Sequence, residues 1–109
     1  MERSGVFDEW SDESTLRRFI PPRTVDIDWS LVDPTAGRPF GFAREGVPLR
    51  VRAAGVRIER RMRGRQRAWV RLSDGQWRAL VDVTFASANG QSALALTMMV
   101  VPDALHLCT

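Results

Sequence analysis

The chain has no lysine and no tyrosine, and only one histidine, one cysteine and one asparagine among 109 residues. Each gap closes a route. A lone cysteine, Cys108, cannot form an internal disulfide and makes a reducing compartment the default expectation. A lone histidine, His106, with no nucleophile–base spacing around it, leaves no recognisable catalytic set, so a non-enzymatic protein is expected. His106 and Cys108 offer two possible metal ligands where zinc takes three or four, so no metal and no other cofactor is expected. The longest apolar run, Ala93–Val101, is broken by Thr97 and falls well short of the roughly twenty residues a membrane span needs. The opening Met1-Glu2-Arg3-Ser4 carries no apolar signal segment, which together with the single cysteine gives cytoplasmic as the expected location and no membrane as a partner.

Without lysine, all sixteen basic residues are arginine. A very GC-rich gene, as in some bacteria and phages, favours Arg, Ala, Gly and Pro codons and explains part of this count. The net charge of +3 is unevenly spread. Residues 1–45 hold nine acids against six arginines, whereas residues 46–109 hold ten arginines against four acids. The two halves can neutralise each other, or the basic half can face a polyanion. An apolar fraction of 44% with 27% charged residues is ordinary for one small globular domain.

The stretch that organises the chain is Gln66–Val101, which reads as a three-stranded antiparallel meander turned by Asp74-Gly75 and Asn89-Gly90. Two-residue type I′ loops at both sites would set Leu72 opposite Trp77, Val70 opposite Ala79 and Ala68 opposite Val81. They would likewise set Phe85 opposite Leu94, Val83 opposite Leu96, Val81 opposite Met98 and Ala79 opposite Val100. All these residues then share one apolar face. The opposite face would carry the rows Arg67–Asp82–Thr97, Trp69–Leu80–Met99 and Arg71–Arg78–Val101.

The remaining segments read more simply. Residues 1–23 form an acidic arm, with a short helix expected over Asp12–Ile20 because Ser11 can cap it and Pro21-Pro22 ends it. Residues 24–109 form the β-domain. Thr24–Val32 alternates strictly, with Val25, Ile27, Trp29 and Leu31 to one side and Asp26 and Asp28 to the other, as in a half-buried strand. Asp33–Pro48 is a long loop rich in proline and glycine. Leu49–Arg61 reads as a strand bent at Ala54-Gly55, and Met62–Arg65 as a basic turn into the meander. The tail can make one helical turn at Pro102–Leu105. The expected fold is mainly β: a small antiparallel sheet or partly closed SH3-like or OB-like barrel of about five strands, with a short N-terminal helix. The alternative is an open α+β sheet with the helix across one face.

Nine arginines fall between Arg50 and Arg71, and Trp69 stands between Arg67 and Arg71. Guanidiniums grip phosphates and an exposed indole stacks on bases. The candidate surface is therefore Arg60, Arg61, Arg63, Arg65, Arg67, Trp69, Arg71 and Arg78, and the expected partner is nucleic acid. The same residue types dominate protein interfaces, so the alternative is an acidic protein surface met by a regulatory adaptor or by a virion or secretion component.

Overall fold

The computed structural model describes Phe7 and residues 9–36 and 46–107. Among them are six strands and one short helix: β1 (Leu16–Asp28), α1 (Leu49–Ala54), β2 (Val56–Arg57), β3 (Arg61–Arg71), β4 (Trp77–Ser87), β5 (Ala93–Val100) and β6 (Leu105–Leu107). All pairings are antiparallel and lie in one open sheet, so the mainly β expectation holds and the sheet does not close into a barrel. The order across it is β5-β4-β3-β1-β6, with β2 beside the far end of β4.

β5 and β6 end this row on opposite sides, yet only Val101–Ala104 separates them, wound into a 3₁₀ turn at Pro102–Ala104. A flat row of five strands would put them about 19 Å apart at the usual strand spacing. A 3₁₀ turn rises only about 2 Å per residue, so the sheet has to curl. Its concave side holds the main core, built on Val25, Ile27, Val81, Val83, Phe85 and Ala104. Trp29 meets Phe85 edge-on there, with ring centroids 5.1 Å apart.

The second hairpin adopts the expected register, with Phe85 opposite Leu94, Val83 opposite Leu96, Val81 opposite Met98 and Ala79 opposite Val100. The first does not. Arg71 faces Trp77, Val70 faces Arg78, Trp69 faces Ala79 and Ala68 faces Leu80. The cause is turn chemistry. Among the described residues only Gly75 and Gly90 have positive φ, so neither Asp74 nor Asn89 takes the conformation a type I′ turn demands. Leu72 and Gln76 instead close a three-residue loop, with the Leu72 N–H donating to Gln76 O and the Gly75 N–H to Leu72 O. That extra residue shifts the pairing by one. Ser87 and Ser92 close a four-residue loop at the other turn, which leaves the register unchanged because one residue is added on each side.

A one-residue slip exchanges the faces of a strand, and here a β-bulge undoes it. Between Gln66 and Ala68 the register with β4 changes, leaving Arg67 as the extra residue. Before the bulge, Gly64 and Gln66 face the main core opposite Val83 and Val81. After it Trp69 does so, while Ala68 and Val70 turn to the outer face and bury Leu16. β1 breaks register at the same level, between Arg18 and Arg23, where Pro21 and Pro22 have no N–H to give the ladder. Gln66, fully buried, joins the two breaks. Its Nε2 donates to the Ala68 carbonyl at 3.1 Å and its Oε1 accepts from Arg23 Nε at 2.8 Å. The Arg23 guanidinium in turn lies over the Phe19 ring.

Three local expectations are corrected. Asp12–Ile20 is not a helix: Asp12 caps a single 3₁₀ turn, Glu13–Thr15, and β1 follows at once. So short a helix is marginal alone, and pairing with β3 buries Leu16 to 4% exposure. Leu49–Ala54 is a helix instead of a strand, with Leu49, Val51 and Ala53 exposed, because Leu, Arg and Ala favour a helix once no neighbour offers a ladder. Met62–Arg65 lies inside β3 and makes no turn. The central part of the loop, residues 37–45, falls outside the described residues.

Replacing Gln66 with leucine keeps the volume but strands the Ala68 carbonyl and Arg23 Nε, so urea denaturation is expected to give a loss of about 2–3 kcal/mol. Gly64→Ala would bring a methyl within 2.8 Å of the Asp82 carbonyl oxygen and 3.0 Å of Ile27 Cδ1. A loss of about 1–3 kcal/mol is expected from that overpacking in the same assay.

Candidate functional site

The alternation of β3 below the bulge puts Arg61, Arg63 and Arg65 on the outer face, all exposed. Their partners across β1 are Asp28, Asp26 and Thr24. Asp26 and Asp28, set opposite the apolar side of the strand by its alternation, are thus the cross-strand counterparts of Arg63 and Arg61. Contact between them is loose, with Arg63 Nε at 3.5 Å from Asp26 and Arg60 Nε at 3.6 Å from Asp28, and these two arginine side chains remain 70% and 76% exposed. Arg65 donates to the Pro22 carbonyl at 3.2 Å. Long contacts to arginines this exposed contribute little to stability.

Arg67 behaves differently. As the bulge residue it is half-buried, and its Nε donates to Asp82 Oδ2 at 2.6 Å, while Thr97 Oγ1 donates to the other oxygen at 2.6 Å. The expected row Arg67–Asp82–Thr97 therefore exists, as a tight structural link between β3, β4 and β5.

The other two rows lose their β3 member: Leu80 pairs with Met99 as expected, but Ala68 stands opposite Leu80 and Val70 opposite Arg78. Trp69 is half-buried on the concave side and packs against the main core, so it is no exposed platform. Arg71 lies on that concave side too, opposite Trp77, and its Nε donates to Gly75 O at 3.0 Å. Arg78 is half-buried on the outer face opposite Val70, donating to Trp77 O and Gln76 Oε1. The single surface read from the sequence is thus split between two faces: Arg61, Arg63, Arg65, Arg67 and Arg78 outside, Trp69 and Arg71 inside. Arg71 and Arg78 are not opposed, so the two like charges do not meet across the strands.

A second basic group was hidden in the sequence. The guanidinium carbons of Arg17 and Arg71 lie 5.2 Å and 5.4 Å from the centre of the Trp77 ring, a cation–π arrangement on a half-buried indole. Arg17 reaches it because β1 sets Arg17 opposite Trp69. Nothing in a segment read as helical could have placed it there.

Asp28 is nearly fully buried and caps the 3₁₀ turn Trp29–Leu31, accepting from the Ser30 hydroxyl at 2.6 Å and the Ser30 N–H at 3.0 Å. The Ser30 hydroxyl foremost, then the Ser30 amide and the nearby charges of Arg60 and Arg61, holds its carboxyl below the usual aspartate range against the opposing effect of burial. Among the described residues no group of three or more His, Cys, Asp or Glu is arranged to hold a metal ion. Cys108, half of the His106–Cys108 pair, lies outside them. Compared with known proteins, the chain matches no family model, no curated protein and no solved structure.

Trp69→Ala is expected to cost about 2–3 kcal/mol in urea denaturation, less than a fully buried tryptophan. Asp28 has a lowered folded pKa, so its stabilising effect is complete above the ordinary aspartate value and is lost as pH falls through the lower one. Asp28→Asn should flatten that part of the acid limb when urea midpoints are compared across the acidic pH range.

Proposed function

We propose that the protein is a non-catalytic binding module that engages an anionic partner, nucleic acid first, through the outer face of β3. The observation that carries this is the ladder of Arg61, Arg63 and Arg65. These are three exposed guanidiniums at alternate positions of one strand, about 6.7 Å apart by strand geometry. Arg60 extends the ladder at its start. The facing carboxylates of Asp26 and Asp28 hold the arginines loosely enough for phosphates to compete. Arg67 and Arg78 border the ladder but are committed to Asp82 and to Trp77 O and Gln76, so they set its edge and contribute less to contact.

With Trp69 in the core, base stacking has no support on this face, and the reading rests on backbone phosphates. Recognition of that kind is strongly salt-dependent and tolerant of sequence. An acidic protein surface is the second reading, and the Arg17–Trp77–Arg71 group favours it, since Trp and Arg are the commonest interface anchors.

Fluorescence anisotropy with single- and double-stranded oligonucleotides at two salt concentrations tests the proposal. Micromolar binding that weakens steeply with salt is expected. Arg63→Glu combined with Arg65→Glu should weaken it at least about tenfold and lower the double-strand salt slope by about 2, one unit per lost phosphate contact. Absence of binding at low salt would sink the nucleic-acid reading and leave an acidic protein as the partner.

A further inference from the structure

The two ends of the sheet are built differently. At one end β6 is only three residues long. At the other β5 runs for eight residues, Ala93–Val100, in unbroken register with β4, and among the described residues no strand pairs its outer edge. Sheet proteins guard such an edge with charge, proline or a bulge. β5 has none of these: it contains no charged residue, no proline and no glycine, in a chain that is otherwise 27% charged. Its side chains are also left unfinished. Leu94 and Leu96 face the concave side opposite Phe85 and Val83, which are almost fully buried, yet they stay 46% and 41% exposed. The core stops one strand short.

We infer that β5 pairs edge to edge with β5 of a second copy of this chain, antiparallel about a two-fold axis, continuing the sheet across the dimer. Two-fold pairing sets a strand against itself, so any charged residue would approach its own image. An uncharged β5 meets that condition. Residues directly opposite share a face, so the register has to set concave-side residues against one another. With Thr97 on the axis, Leu96 faces Met98 and Leu94 faces Val100, which covers the exposed leucines with apolar partners. Nothing along the edge complements a charged partner, and a second copy supplies the same strand, with the same apolar pattern, at equal concentration. The inference stands independently of the nucleic-acid reading.

Sedimentation equilibrium from micromolar to millimolar concentration is the test. The expected result is a reversible species of twice the 12.3 kDa chain mass. Ala95→Lys puts a charge on the exposed outer side of β5 and should weaken dimerisation about tenfold or more, with the circular dichroism spectrum unchanged and the thermal midpoint equal to that of the wild type at concentrations where both are monomeric. Met99→Lys, at a residue 53% exposed, provides the same charge at a second position should Ala95→Lys disturb folding. A wild-type chain that stays monomeric throughout, a dimer indifferent to both lysines, or growth beyond two copies would each overturn the proposal.

Discussion

The structure depends on one buried amide. Gln66 sits in the core where an apolar residue would be the default, and it holds together two irregularities that would otherwise be independent faults. The three-residue loop at Gly75 throws β3 one step out of register with β4, and the Arg67 bulge takes that step back. By bonding to Ala68 across the bulge and to Arg23 past the prolines of β1, Gln66 keeps both corrections at the same level of the sheet. A buried polar group is tolerable only when its hydrogen bonds are made, and here making them aligns three strands.

The bulge also decides which arginines face outward. Below it, Arg61, Arg63 and Arg65 line up across from Asp28, Asp26 and Thr24, so the acidic and basic halves of the chain meet strand against strand. Above it, the same strand sends Trp69 and Arg71 to the concave side. Arg67, at the switch, is drawn into a short ion pair with Asp82. Charge density along β3 is therefore nearly uniform in sequence and sharply divided in space.

How much of this was legible varied with how local the determinant was. The β4–β5 register could be read because two- and four-residue loops share it, so an error about the turn type did no harm. Val25 and Ile27 could be read as buried because strict alternation from Thr24 onward leaves little choice. The first hairpin could not be, since Asp74-Gly75 is compatible with loops of two or three residues and only the surrounding sheet selects between them. The N-terminal segment was misread for a similar reason: its capping and charge pattern fit a helix, but Leu16 finds Ala68 and Val70 only after β3 has been turned over by its bulge.

The amino-acid sequence by itself determined the fold class, the β4–β5 pairing, the buried side of β1 after Thr24, the 3₁₀ turn after Val101 and the surplus of arginine in the second half. These follow from side-chain period and turn residues acting over a few positions. Tertiary structure alone decided which face each arginine occupies, that Trp69 packs against the core, that Arg17 meets Trp77 and that no strand among the described residues pairs the outer edge of β5. Each depends on strand pairing between residues far apart in the chain, where a single extra residue in a loop or bulge reverses every side chain beyond it.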